Sequence, residues 1–584
     1  MLGGPGGTAP GRSIRLSNPG GSTALPNHAR PLRRRARHLQ RPPVRPALPA
    51  WVALMLVAVT TVWAAAADRP SRQPAIRVED ALRPADRVPG KAVSTPPPAM
   101  LPGATTPGGV TATTDADATG AGVGAVVSAA PAQAIDGFGV SGAWWPGDLV
   151  HFSAAAQQQV SSMLFGQNGI ASSIYRYNIG AGGVGNPNRA SPTFLIKPGS
   201  YDWSRDVGGR TFLRAAAAAG VPSLVGFANS APGAWTTNGK PCGGHLQPGA
   251  EQAYGRYLAD VVRHLHDLDG VKLDYVSPMN EPDSSFDQCY QEGMVVPTAQ
   301  RSSLVQALDG ALADRAPWAG VMADESSHVR QFVPEAGRWL HATGTTDAVD
   351  VLATHDYDFA TAPTLNDARD LAAEAGKPLW MTEVCCNHGM RFAQGFDPTM
   401  TGAIWLANTI TQNLTQASAT GFAWWTALSP TMGCDPRQTG CATTRNGSGW
   451  DDGLVYYDGD FRSDGNESLY PTKRLWVLGN FSRFVRPGAV RHAVGGVPSS
   501  FRVLAFRSPG EWVVVVVDED APGSGPAGLP VTLPDDGATL GAPAAWRTDG
   551  WKNLESAPAP GLAGHTLTVS VPPRSVTTYV IPAS

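Results

Sequence analysis

The sequence predicts an α/β protein: a (β/α)8 TIM barrel with an attached all-β sandwich, built from the C-terminal segment and one strand that precedes the barrel. Two patterns predict this. Between residues 135 and 484, eight short apolar runs rich in β-formers alternate with segments of helical period, and short buried strands joined by helices make a parallel sheet with crossovers. After Phe484 the helical period stops, and apolar runs are separated only by Gly, Pro and Asp turns.

The chain has 584 residues, too many for one ordinary core. Residues 1–46 carry nine Arg and no acidic residue. The run Ala47 to Ala67 that follows holds no charge. A positive flank, an apolar core and a small-residue end read as a secretion signal cleaved near Ala67. The same length also suits a retained single membrane anchor. Under either reading of residues 1–67 the body is expected outside the cytoplasm. Residues 68–122, rich in Pro, Ala, Thr and Gly, are expected to be a disordered linker. Residues 123–134 are expected to give the first sandwich strand.

The eight barrel strands are expected at Ile135–Ser141, Ser172–Ile179, Pro222–Asn229, Leu273–Asn280, Val321–Glu325, Val349–Tyr357, Pro378–Val384 and Gly421–Leu428. In Glu251–Leu268 the residues Tyr254, Tyr257, Leu258, Val261, Val262 and Leu265 fall on one face, as a helix packed on a sheet requires. Further helices are expected at Ala155–Phe165, Arg210–Ala219, Thr298–Arg315, Leu365–Ala375, Thr401–Ala417 and Thr472–Phe484. No Gly-rich phosphate turn follows the first strand, which argues against an open dinucleotide-binding sheet. Residues 485–584 then supply sandwich strands at Phe501–Arg507, Glu511–Asp518, Leu529–Leu533, His565–Val571 and Ser575–Ile581.

Without the basic leader, 36 basic residues face 48 acidic ones, a net charge of −12. Such a body repels phosphate backbones, so nucleic acid is not an expected partner. Six Cys suit an oxidising compartment. Cys434 with Cys441, and Cys242 with Cys289, are the candidate disulfides. Cys385-Cys386-Asn387-His388 lacks a second ligand pair at zinc spacing, so no metal is expected. Seventeen Trp suit sugar stacking, although Trp also fills cores.

Active sites of (β/α)8 barrels lie at the C-terminal strand ends. The fourth predicted strand ends in Asn280-Glu281-Pro282 and the seventh in Thr382-Glu383. Two carboxylates facing one mouth suit glycoside hydrolysis, in which one protonates the leaving oxygen and the other attacks the anomeric carbon. A single strand-end Glu is usually a structural ion partner; the pair reverses that. Arg176, ending the second strand, is expected against Glu383, with Tyr357 donating to the same carboxylate. Asn280, Asn229 and His355 are candidate sugar ligands. Six aromatics cluster near the mouth: Trp144, Trp145, Trp235, Trp424, Trp425 and Trp450. Side chains alternate across a strand, so about half should face sugar; Trp145, Trp235 and Trp425 are expected to.

These residues resemble glycoside hydrolase family 30. The matching stretches are Ile135-Asp136-Gly137-Phe138-Gly139, Asn280-Glu281-Pro282, Thr382-Glu383, Tyr470-Pro471-Thr472-Lys473-Arg474, the run Gly479 to Gly488, and Pro573 to Thr578. The resemblance implies a barrel fused to a sandwich and a retaining double displacement without cofactor or metal. It assigns Glu281 as acid/base and Glu383 as nucleophile. Trp144-Trp145 and Tyr175 to Gly180 look most like the endo-β-1,6-galactanase side of the family, with β-1,6-glucanase next and other β-glycanase or glucosylceramidase-like activities behind. No basic cluster marks the mouth for an acidic sugar, Arg189 and Lys240 aside. The expected partner is a β-linked oligo- or polysaccharide, met by a secreted monomer. Membrane contact is expected only if the N-terminal apolar run is retained. Two rival readings remain: a catalytically inactive carbohydrate-binding protein, which would lack one Glu, and an aldolase or metal-dependent barrel, which would need a strand-end Lys or a His/Asp cluster.

Overall fold

The computed structural model describes residues 124–184, 189–284, 286–387, 391–520 and 527–584. The expected leader, signal or anchor, and linker lie outside the described residues. Among those described, no helix is long and apolar enough to cross a membrane.

Eight parallel strands close into a barrel in chain order: Gly137–Gly142, Ile174–Asn178, Ser223–Phe227, Tyr275–Ser277, Gly320–Ser326, Val351–His355, Leu379–Glu383 and Gly421–Trp424. The first and eighth strands pair in parallel, with Phe138 opposite Phe422. Residues of five of the strands fill the barrel: Ile174, Val225, Met322, Val351, Ala353 and Trp380 form one buried cluster, a packed interior with no pore. Outward residues pack under the helices. Helix Glu251–Asp269 buries Tyr254, Leu258, Val261 and Leu265 and ends at Gly270, whose φ of 67° supplies the left-handed cap. A helix not expected from sequence, Val329–Trp339, has Pro334 in its interior, a residue that ordinarily ends or breaks a helix.

The Ile-Asp-Gly-Phe-Gly stretch proves to be bottom-of-barrel architecture. The Asp136 carboxylate accepts from Trp380 Nε1 at 2.7 Å. A Cβ on Gly139 would sit 2.1 Å from the Ile174 carbonyl oxygen, so only glycine lets the first two strands approach this closely.

A ten-stranded sheet accompanies the barrel. Strand Ala125–Ala134 lies inside it, antiparallel to Val490–Gly495 and parallel to Ala527–Thr532. Four of its strands, Val490–Gly495, Ala544–Thr548, Glu555–Ala557 and Gly561–Ala563, were not expected from sequence. In Glu511–Asp518, Trp512, Val514 and Val516 join the sheet's own core, while Val513, Val515 and Val517 join the barrel's. Burial on both faces is why this strand reads as an unbroken apolar run.

Candidate active site

Glu281 follows the fourth barrel strand and Glu383 ends the seventh. Both line one cavity of about 890 Å³ at the C-terminal strand ends. One carboxyl oxygen of each lies within 4.8 Å of the other. The Glu281 backbone has φ 46° and its N–H donates to the Glu325 carbonyl at 2.8 Å, which fixes the turn that aims the side chain inward.

Arg176 is fully buried. Its Nη1 donates to Glu383 Oε2 at 2.9 Å and to Ser141 Oγ at 3.0 Å, and its guanidinium lies 4.2 Å from the Phe227 ring centre. Tyr357 Oη donates to Glu383 Oε1 at 2.9 Å. Arginine can only donate, so Glu383 meets it as an acceptor with both oxygens engaged. The side-chain amides of Asn229 and Asn280 also line the cavity. Asn229 Nδ2 and Asn280 Oδ1 are buried with no protein partner. Buried polar atoms rarely stay unpaired, so each can serve a ligand hydroxyl.

Glu325 was missed from sequence. Wholly buried on the fifth strand, it accepts from Arg176 Nη2 at 3.2 Å, contacts His355 Nε2 at 3.0 Å, and accepts from the Thr382 hydroxyl. Strict alternation from inward-facing Met322 would point Asp324 inward and Glu325 outward. The register shifts between Asp324 and Ser326, and Glu325 takes φ 61°. Asp324 thus turns to the helices, accepting from Arg301 at 2.7 Å and Trp339 Nε1 at 2.6 Å. No periodicity in the sequence carries that slip.

His355 requires a correction. Expected to bind sugar, it is fully buried behind the carboxylates and does not line the cavity. Its Nδ1 lies 3.3 Å from Glu281 Oε1 and 3.8 Å from Glu383 Oε1. Burial works against its charge, but Glu383, Glu281 and Glu325 outweigh that and raise its pKa to about 10. Glu281, His355 and Glu383 have the residue types of a metal site. The same three side chains pair with one another, His355 Nδ1 with both carboxylates.

Burial also opposes the Glu325 charge. Arg176, His355 and Thr382 overcome it and hold this carboxylate near 2. Burial raises the pKa of Glu281, assisted by the charge of Glu383 and opposed by His355. One carboxyl is thereby biased toward its protonated form beside another engaged by Arg176, the asymmetry that acid-assisted displacement needs.

Two tryptophans also require correction. Trp145 packs on Phe212, ring centres 4.7 Å apart, and donates to Ser141 O at 3.2 Å. It is Trp144 that meets Trp425, at 5.0 Å edge to face. Trp235 packs against Tyr254 and Tyr257 at 5.9 and 5.4 Å. Neither Trp145 nor Trp235 lines the cavity; Trp425 and Trp450 do. Trp424 points the other way, donating to the Asp452 carbonyl at 2.7 Å.

Both candidate disulfides form, Cys242–Cys289 and Cys434–Cys441. A third, not expected, joins the neighbours Cys385 and Cys386. Asp283, Ser327 and His328 also line the cavity near Glu281. They escaped notice because they lie beyond the predicted strand ends.

A closed parallel barrel with one Glu after its fourth strand and another ending its seventh, both facing one cavity, defines a glycoside hydrolase. The O-glycosyl hydrolase family 30 model matches residues 125–435, more than half of the chain, and the chain belongs to that family. It is 23 % identical over 505 residues to an exo-β-1,6-galactobiohydrolase of Bifidobacterium longum subsp. longum. That alignment covers 67 % of this chain and 32 % of the relative, so the chain spans about a third of that protein's length. Among solved structures, a conserved exported protein from Bacteroides fragilis is similar with a TM-score of 0.66 at 22 % identity, covering 78 % of this chain and 99 % of that one. The catalytic domain of family 30 xylanase C from Talaromyces cellulolyticus is similar with a TM-score of 0.61 at 24 % identity, covering 78 % and 99 %. These two likenesses speak to the fold.

Proposed function

We propose that the protein is an exported, retaining β-glycoside hydrolase that cleaves β-1,6-linked galactan by double displacement. The observation that carries the retaining mechanism is the gap between Glu281 and Glu383, whose facing oxygens lie within 4.8 Å. Retention goes with carboxyls about 5–5.5 Å apart, whereas inversion needs roughly 6.5–9.5 Å to admit a water.

In the first step Glu281 protonates the glycosidic oxygen while Glu383 attacks the anomeric carbon. The leaving alcohol departs and a glycosyl ester forms on Glu383. Esterification removes the negative charge that helps to raise the Glu281 pKa. Glu281, now a carboxylate, then takes a proton from water as that water attacks the same carbon, releasing the sugar with its original configuration. Arg176 and Tyr357 hold Glu383 in line throughout. Asn280 and Asn229 offer free polar atoms to ring hydroxyls.

The galactan reading is supported by the similarity to the exo-β-1,6-galactobiohydrolase and by the Trp144-Trp145 and Tyr175 to Gly180 stretches. Export is supported by the apolar run Ala47 to Ala67 and by three disulfides, which persist in oxidising compartments. A retained anchor would leave the enzyme on the outer membrane face. The deciding experiment is product analysis over β-1,6-galactan, β-1,6-glucan, xylan and arabinogalactan, with the anomer of the first product read by NMR. Galactose-containing products of β configuration are expected. An α product would end the retaining mechanism, and glucose-only products would move the substrate to β-1,6-glucan.

A further inference from the structure

The geometry points to the Cys385–Cys386 disulfide as an apolar platform for the glycone ring, the sugar whose anomeric carbon Glu383 attacks; this rests on the glycosidase reading above.

Both cysteines line the cavity beside Glu383, Phe392, Trp425 and Trp450. Cys385 Sγ lies 3.9 Å from Tyr357 Oη, the same hydroxyl that donates to Glu383 at 2.9 Å. The sulfurs are therefore one side chain away from the attacking carboxylate. A ring bound for attack at its anomeric carbon must come to rest close to them.

Stapling does not explain this bond. A disulfide stabilises mainly by removing loop-closure entropy from the unfolded chain, and the gain grows with the loop. Cys242–Cys289 closes a separation of 47 residues and Cys434–Cys441 one of 7. Cys385–Cys386 closes a separation of 1, so almost no chain entropy is at stake. What the bond changes is the surface. Two free thiols would be weak donors, each free to turn about its own side-chain torsion. Joined, they become one fixed, polarisable ridge without an S–H donor.

The segment after the bond holds that ridge in place. Trp425 N–H donates to the Val384 carbonyl at 3.1 Å, and Ala393 N–H to the Cys386 carbonyl at 3.1 Å. Phe392 packs on Tyr357 at 5.5 Å and on Trp450 at 5.7 Å, extending the apolar wall. Such a wall accepts the C–H face of a pyranose and penalises a hydroxyl directed at it, because a buried hydroxyl without a partner loses its bonds to water. Galactopyranose, with O4 axial on one side, presents the hydrogens of C3, C4 and C5 together on the other. Glucopyranose presents fewer on that face.

The test compares the wild-type chain with the double variants Cys385→Ala/Cys386→Ala and Cys385→Ser/Cys386→Ser, leaving the other two disulfides intact. Rates are measured on aryl β-galactoside and aryl β-glucoside, with thermal unfolding alongside. On the galactoside, kcat/KM should fall about tenfold, equivalent to about 1.4 kcal/mol, chiefly through KM. The fall on the glucoside should be smaller, and Tm should move by no more than about 4 °C. Unchanged kcat/KM in both variants would overturn the inference. So would an equal loss on both sugars that tracks a lower Tm, or mass spectrometry finding both thiols free in the isolated wild-type protein. Wild-type activity on the glucoside alone would refute the galactan reading separately, and a KM loss on that glucoside in the variants would still support the platform.

Discussion

Glu325 and His355 make the site a chain of alternating charge: Arg176, Glu325, His355, then the two carboxyls at the cavity. The pairs run from Arg176–Glu383 at 2.9 Å to His355–Glu281 at 3.3 Å, with His355–Glu383 at 3.8 Å. Removing one partner strands the others in a buried setting, where breaking a pair costs about 3–5 kcal/mol. Glu325→Leu should therefore lower unfolding free energy by about that much in denaturant titration. The sign of the pH dependence follows from the pKa directions. Glu325 is held near 2, below its ordinary value of 4.5, so its contribution is present above about 4.5 and is lost as pH falls toward 2. His355 is raised from 6.5 to about 10, so its contribution is complete below about 6.5 and disappears as pH rises toward 10. Thermal scans should show Glu325→Gln flattening the acid limb of the stability profile and His355→Gln the alkaline limb. On the proposed mechanism, Glu383→Gln abolishes turnover without unfolding the protein. Glu281→Gln should lower kcat on natural glycosides by about 10²- to 10⁴-fold. It should largely spare kcat/KM on nitrophenyl glycosides, whose leaving group needs little protonation, while kcat there still falls because the second step lacks its base. Wild-type rates on natural glycosides in either variant would remove the assignment.

At the scale of elements, strand placement and side-chain direction differ in how much the chain reveals. Helix Thr298–Arg315 and all eight barrel strands stand within a few residues of the positions their periods indicate, because apolar period is a local property. Direction at the strand ends is not local. The register shift in Gly320–Ser326 exchanged the facings of Asp324 and Glu325, and the turn after Trp144 sent Trp145 to Phe212. His355 kept its inward facing, but one layer too deep to meet a ligand. Two variants test the element geometry. Gly139→Ala would drive a Cβ to 2.1 Å from a backbone oxygen, so it should cost at least the about 1–3 kcal/mol of ordinary overpacking or prevent folding, as read by soluble yield and Tm. Asp324→Ala would remove the acceptor shared by Arg301 and Trp339. It should destabilise by about 3–5 kcal/mol, tempered by the second partner of Arg301, Glu335 at 2.6 Å.

Across the whole molecule, barrel and sheet are joined by buried polar bonds as well as by apolar faces. Asn480, on the last barrel helix Lys473–Ser482, donates to Thr578 Oγ1 at 3.0 Å and accepts from Thr548 Oγ1 at 2.7 Å. Val513, Val515 and Val517 lie in the barrel's cluster. The two parts should therefore melt in one cooperative transition by calorimetry. Asn480→Ala should cost about 1–3 kcal/mol, since the Thr548 hydroxyl loses its acceptor and the Thr578 hydroxyl one of its two partners. A chain cut after residue 484 should be insoluble, since it exposes the apolar surface that these valines cover.

Period, strand-end chemistry and a few short motifs were enough to place a barrel, its sandwich and two facing glutamates in one chain. These depend on residues near each other in sequence, and a barrel's topology then brings all strand ends to one rim. Folding alone decided the slip that turns Glu325 inward, the depth of His355, which tryptophans reach the cavity, and the closure of Cys385 on Cys386. Each of those depends on contacts between segments far apart along the chain, or on a one-residue change of register that leaves composition and period untouched.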